Sequence, residues 1–175
     1  MPRIVDHDEK RAELLAGCFE VFDREGYGSV SMRGLARSLG VSTGTLYHYF
    51  EGKDALFEAL VRQRFESDLL AATEGLTDAT PPEGRLAHLL RWVGVNVEHL
   101  QRTLRLVLDY VRQSDDHEFV PDVLHGYSDE LARALGPELA TPVLSAILGL
   151  LVHRLLDPDA VDVGAHVALL GRLGR

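Results

Sequence analysis

The sequence predicts an all-α chain in two parts: a small N-terminal unit of three helices, joined by a long fourth helix to a larger helical body. Three observations carry this prediction. Apolar residues recur at spacings of three and four along most of the 175 residues. The strict alternation of a half-buried strand is missing. Glycines divide the first 52 residues into short segments, whereas later helical segments run longer.

The elements follow in order. A first helix is expected from about Asp8 to Glu25, where Leu15, Phe19 and Phe22 give one apolar face. Gly26 follows the last periodic residue and suits a left-handed C-cap. Ser31 is placed to cap a second helix, Met32 to Leu39, with Leu35, Ala36 and Leu39 inside. Gly40 ends it after about two turns. Ser42 is placed to cap a third, Thr43 to His48, and Gly52 interrupts again. A long helix over Lys53–Ala72 then buries Leu56, Leu60 and Phe65. Gly75 to Gly84, with Thr77, Thr80, Pro81 and Pro82, reads as a loop. Further helices are expected near 84–99, 101–114, 118–135, 139–156 and 160–173. A break at His99–Gln101 is expected because one helix from 84 to 114 would be about 46 Å long.

Several function classes are excluded. Cys18 is the one cysteine, so no disulfide forms within the chain and no CxxC motif exists. Among Leu14, Leu15, Phe19 and Phe22 it behaves as a small hydrophobe. The first twenty residues mix charge with short apolar pairs, unlike a signal peptide. No run of eighteen uncharged apolar residues exists, which argues against a membrane span and makes the cytoplasm the expected compartment. GxSxG, HExxH, P-loop and GxGxxG motifs are all missing, so no catalytic residue and no enzyme activity is expected. Of the eight histidines, His88 and His99, and His117 and His125, lie near whole helical turns apart. No HxxxH pair or cysteine partner accompanies them, so no metal or cofactor is expected.

The informative run is GYGSVSMRGLARSLGVSTGTLYHYFEGKDALF, residues 26–57. Two short helices meet at Leu39-Gly40-Val41, where Gly40 permits a tight turn and its neighbours bury beneath it. This is helix-turn-helix logic, with Thr43–His48 as the recognition helix. Leu46 points inward and Phe50 closes the packing. Thr43, Gly44, Thr45, Tyr47 and His48 form the exposed edge. Hydroxyls and a phenol suit phosphate, and a glycine lets backbone approach DNA closely. The charge distribution agrees. The whole chain carries −9, but Arg33, Arg37 and Lys53 against Glu51 give residues 26–53 a balance of +2. Taking +2 from −9 leaves −11 elsewhere, an acidic body that orients a basic head on a polyanion.

With these residues in place the sequence resembles the TetR (tetracycline-repressor) family of bacterial regulators, most closely over residues 10–60 through GVSTGTLYHYFEGKDALF. The resemblance implies a DNA-binding domain over 1–52 and a ligand-binding and dimerisation domain over 53–175. It implies a repressor that is released from a palindromic, double-stranded operator by a small, largely apolar effector. It matches Arg33 to a base-reading position, and Thr43 and Gly44 to positions close to bases and backbone. It matches Ser31, Thr45, Tyr47, His48 and Lys53 to phosphate contacts, and Tyr49 to a further contact in some members. Ser42, at the recognition-helix cap, completes the set. Two departures stand out. Thr43 replaces the lysine of many members, and residues 1–11 balance Arg3, Lys10 and Arg11 against Asp6, Asp8 and Glu9.

For the body, Trp92, Asn96, His99, Thr103 and Tyr110 share one side if their helices are continuous. Such a stripe suits a ligand pocket beside the fourth helix, with His125 and His153 as further lining. It equally suits a core seam, and periodicity does not separate the two. Val143 to Leu156 is almost wholly apolar and needs cover on all sides. Small residues let helices approach: Ser145 and Gly149 there, and Gly164, Ala168 and Gly171 on the last helix. A two-fold homodimer is therefore expected through Val143, Ser145, Ile147, Gly149, Leu150, His153, Gly164, Ala168 and Gly171.

Overall fold

The apolar stripe of the first segment folds as α1 (His7–Glu25) and buries Leu14, Leu15, Cys18, Phe19, Val21 and Phe22. In the computed structural model, residues 7–77, 79–114, 118–159 and 161–173 are described, with residues 82 and 170–173 described by backbone alone. The elements that follow are α2 (Met32–Leu39), α3 (Thr43–Tyr49), α4 (Lys53–Thr73) and α5 (Pro82–Val95). Then come α6 (Val97–Gln113), α7 (Phe119–Leu135), α8 (Pro137–Leu156) and α9 (Val163–Leu173). Among the described residues there are nine helices and no strand, the all-α architecture expected.

The described residues divide into two compact units. The first runs to Arg64 and takes in Arg105–Phe119, so it extends beyond the residue-52 boundary expected from the sequence. Its core combines the stripe of α1 with Leu35 and Ala36 of α2, Leu46 of α3, and Leu56, Phe57, Leu60 and Val61 of α4. Tyr110, on the second half of α6, has no exposed surface. Its ring stacks on Phe57 at 4.7 Å and 11°, and meets Tyr27 and Phe119 edge-on. Burial pushes the Cys18 thiol up to about 12, so it is inert at neutral pH, as expected of a core residue.

The second unit comprises Phe65–Leu104 and Val120–Arg175. Its core gathers Ala72 of α4, Leu86, Leu89 and Leu90 of α5, Leu135 of α7 and Val143 of α8. Trp92, Leu139, Ile147 and Val167 pack against it. The break between α5 and α6 falls at Asn96 and not at His99–Gln101. Both the backbone N–H and the side-chain amide of Asn96 donate to the Trp92 carbonyl at 2.9 Å. Asparagine competes for helix backbone in this way and ends α5 early. Helix α8 starts at Pro137 and not at 139, because proline at the first position is pre-set for helix and loses no needed N–H.

Helix α8 also qualifies a sequence expectation. By length and hydropathy it is long enough and apolar enough to cross a membrane, although its sequence lacks an eighteen-residue uncharged run. Only 22% of that stretch is buried within the chain. Ala140, Val143, Leu150 and Leu151 face inward, while Ser145, Gly149, Val152, His153 and Leu156 are exposed.

Candidate nucleic-acid interface

The site is built from caps. Ser31 precedes α2 in extended backbone, and its Oγ accepts from Gly34 N–H at 3.2 Å. Replacing such a cap by alanine costs about 1 kcal/mol. At the other end Gly40 adopts φ 68, the left-handed conformation that other residues rarely take. There Val41 N–H reaches the Ala36 carbonyl at 3.0 Å and Gly40 N–H reaches that of Arg37 at 3.2 Å. This paired ending turns the chain sharply into α3. Ser42 caps α3: its Oγ accepts from Thr45 N–H at 2.9 Å and shares a hydrogen bond with Thr45 Oγ1 at 2.8 Å.

Leu46, fully buried, fastens α3 to the core and so decides which edge faces out. That edge carries Ser42, Gly44, Tyr47 and His48, all exposed, with Thr43, Thr45 and Tyr49 half-buried. Tyr47 keeps 54% of its surface. An added Cβ at Gly44 would meet only the Ser42 hydroxyl, at 3.6 Å, so the outward side of α3 is open there. Arg33 and Arg37 of α2 are exposed in the same three-helix unit. The expected DNA-contacting residues are therefore brought together on and around α3. The hydroxyls of Ser31, Ser42 and Thr45 are partly committed to capping, but each has an O–H and two lone pairs to distribute.

Lys53 opens α4, and its Nζ lies 4.0 Å over the Tyr27 ring and donates to the Tyr27 carbonyl at 3.2 Å. An ammonium has three donors, so this bond holds the side chain without exhausting it. The partner, Tyr27, is a hub that sequence reasoning missed. Its hydroxyl donates to Asp54, its N–H donates to Asp109 Oδ2 at 2.8 Å, and its ring packs on Phe22, Phe57 and Tyr110. Burial, then the Asp54 carboxylate, pushes the Tyr27 phenol well above its ordinary value. Desolvation opposes the charge on Asp109. Hydrogen bonds from Arg112, Gln113 and the Gly28 and Tyr27 backbones outweigh it and hold that carboxyl below the carboxylate range. The approach is tight: an added Cβ at Gly28 would meet the Gln113 amide at 1.7 Å. Residues 26–30, which lead into α2, are thus moored to the end of α6. His7 is a second unforeseen neighbour, its ring 4.5 Å from Tyr49 and 5.7 Å from His48. The only advance signals were an aromatic near the start of the motif run, Tyr27, and a histidine well before it, His7.

The residues expected to hold an effector are divided between the two units. Tyr110 lies in the first unit, sealed among rings, with its hydroxyl donating to Glu58 at 3.2 Å. Trp92, Asn96, His99, His125 and His153 lie in the second. The break at Asn96 ends the continuous stripe on which their grouping depended. Trp92 joins the core, Asn96 caps α5, and His99 Nε2 is 2.7 Å from Asp68 Oδ1. His125 and His153 are exposed, and His117 lies outside the described residues.

The expected dimer residues divide into two faces. Val143 and Leu150 are buried in the unit's own core and Ile147 packs on it, so these three face the chain itself. Ser145, Gly149 and His153 of α8, with Gly164 and Ala168 of α9, are exposed. Gly171 is among the residues described by backbone alone.

Comparison with known proteins bears on this geometry. Residues 14–60 match the model of bacterial regulatory proteins of the tetR family. The HTH-type transcriptional regulator BetI 2 of Chromohalobacter salexigens is 24% identical over 93% of this chain and 85% of its own. The HTH-type transcriptional repressor Rv1474c of Mycobacterium tuberculosis is 32% identical over 64% of this chain and 61% of its own. The multidrug binding protein EbrR, complexed with malachite green, has the same fold at a TM-score of 0.73 and 22% identity. The match covers 94% of this chain and 98% of that one.

Proposed function

Because the chain belongs to the TetR family of bacterial regulatory proteins, we propose that it is a cytoplasmic transcriptional repressor that binds a palindromic operator as a homodimer. In this reading residues 1–52 read DNA, and residues 53–175 dimerise and bind a small, largely apolar effector that releases the operator. The observation that carries it is the exposed edge of α3: Ser42, Gly44, Tyr47 and His48 face outward from a helix anchored by buried Leu46. Arg33 is the base-reading candidate, Thr43 and Gly44 approach base and backbone, Ser31, Thr45, Tyr47, His48 and Lys53 meet phosphate, and Tyr49 makes a further contact.

The repressor sign is supported by the name of the Mycobacterium relative, a transcriptional repressor. The effector is supported by EbrR, described as a multidrug binding protein in complex with malachite green. A second copy is supported by the unpartnered face of α8 and α9. Ser145 and Gly149 are exposed on α8 with Val152 and Leu156, and Gly164 and Ala168 are exposed on α9 with Leu169. Small residues flanked by apolar ones let two helices close on a dry interface.

Selection of bound DNA from a random pool tests the core of this function. A two-fold symmetric consensus is expected, with half-sites about one helical turn apart. Gly44→Val should lose it and Arg33→Ala should change its base preference. Failure to enrich any sequence sinks the reading.

A further inference from the structure

His7 opens α1, and its ring lies 4.5 Å from that of Tyr49 and 5.7 Å from that of His48, both in the last turn of α3. His48 in turn meets Tyr49 edge-on at 5.1 Å. The three rings join the start of α1 to the end of the proposed recognition helix. Both imidazoles are exposed, and among the described residues neither has a hydrogen bond or an ion pair. The hydroxyls of Ser31, Ser42 and Thr45, by contrast, are already engaged in caps.

The charge around this pair suits an anion. Lys10 and Arg11, one turn along α1, lie on the same side of that helix as His7. Lys10 is paired with Glu13 at 2.8 Å, and the Arg11 guanidinium lies 5.2 Å over the Phe50 ring. Asp8 and Glu9 are one and two residues from His7 and so project from other sides of α1. No acidic residue stands on α3, and Glu51 follows only after its C-cap, Phe50. Of the eight histidines, only His7 and His48 fall within residues 1–64, so acid adds histidine charge to that stretch at this pair alone.

We propose that His7 is a further DNA-contacting residue, and that with His48 it grips the sugar-phosphate backbone by taking up protons. This rests on the reading that α3 faces DNA, and adds to it a contact from α1 and a dependence on pH. Imidazole as a residue type titrates near pH 6.5, so mild acid supplies the charge. In the free protein two imidazolium groups this close repel each other. A phosphate beside them offsets that repulsion, so binding and protonation reinforce one another. A neutral imidazole has one N–H donor and a protonated one has two, which adds a hydrogen bond as well as a charge.

Binding of the full-length protein to a duplex selected from a random pool is measured at about pH 8 and about pH 6 over a range of salt concentrations. An unrelated duplex serves equally, because phosphate contacts carry no sequence information. Native affinity is expected to rise by about tenfold or more at the lower pH. The log–log salt slope should steepen by about 2–4, as two imidazoles from each subunit of the proposed dimer join the phosphate contacts. His7→Phe keeps a ring against Tyr49 but takes no proton. It should forfeit about threefold or more of the acid gain and about half of the steepening. His7→Lys, charged at both pH values, should bind more tightly than native at the higher pH and gain less in acid. A His7 that only braces α3 would instead lower affinity alike at both pH values when replaced by phenylalanine. The proposal is overturned by an acid gain that is the same in native protein and in folded His7→Phe. If that variant does not fold, a His7→Lys with the native pH profile overturns it. Native binding at the higher pH with no acid gain upholds the reading of α3 and sinks this inference alone, whereas no binding at either pH sinks both.

Discussion

Tyr27 shows how one residue ties the reading head together. Its amide, carbonyl, hydroxyl and ring each have a different partner: Asp109, Lys53, Asp54 and the Phe22–Phe57–Tyr110 cluster. Asp109 gives this mooring a pH dependence. Its folded pKa is lowered, so its contribution to stability is complete above the unfolded value, about 3.9, and is lost as pH falls through the folded value. Native protein and Asp109→Asn should therefore differ in urea midpoint by a constant amount between about pH 5 and 8. The two midpoints should converge below about pH 4, and a gap that persists undiminished in acid would contradict this account. Tyr110 makes a companion case. Tyr110→Phe removes one hydrogen bond, to Glu58, and should cost about 1 kcal/mol. Tyr110→Ala also empties a sealed ring site and should cost about 3–5 kcal/mol. A near-neutral Tyr110→Ala in urea unfolding would show that the ring is not part of the head's core.

At the scale of elements, local signals were legible and long-range ones were not. Gly26, Gly40, Ser31 and Ser42 mark the ends of α1, α2 and α3 because a left-handed turn and a capping hydroxyl are set by adjacent residues. The run of Leu39, Leu46 and Phe50 then fixes the exposed edge of α3. Nothing local announces that Asp109 lies beside Tyr27, 82 residues away. The effector stripe was drawn on continuous helices, and nothing local announced that the Asn96 amide would end α5 between Trp92 and Tyr110 in the sequence. For α8 the sequence shows apolarity all round but not which side the chain itself covers. Val143 and Leu150 turn inward, leaving Ser145 and Gly149 outside. An added Cβ at Gly149 meets nothing within 4 Å, so an arginine there fits the isolated chain. Gly149→Arg should therefore keep its helical signal yet sediment as a monomer. A folded dimer in that variant would move the interface elsewhere.

For the whole molecule the balance of charge decides how strongly it holds a polyanion. The chain carries −9, yet in the proposed complex DNA would meet Arg33, Arg37 and Lys53 near α3. Taking two or three of these per subunit, a dimer neutralises about 4–6 phosphates, for a log–log salt slope of roughly −4 to −5. Thr43, on the exposed side of the motif, adds no cation, which keeps the slope shallow. Lys53 tests whether the head's internal bonds and its DNA contacts coexist. Its Nζ donates to the Tyr27 carbonyl and has donors to spare. If it also meets phosphate, Lys53→Ala should weaken binding to all sequences alike and make the slope shallower by about 2 per dimer. If it serves only to brace Tyr27, the variant should lose stability and affinity with the slope unchanged. Titrating operator and unrelated DNA at several salt concentrations, alongside urea unfolding of the same variant, separates these outcomes. A native slope near zero would mean that this face does not meet a phosphate backbone at all.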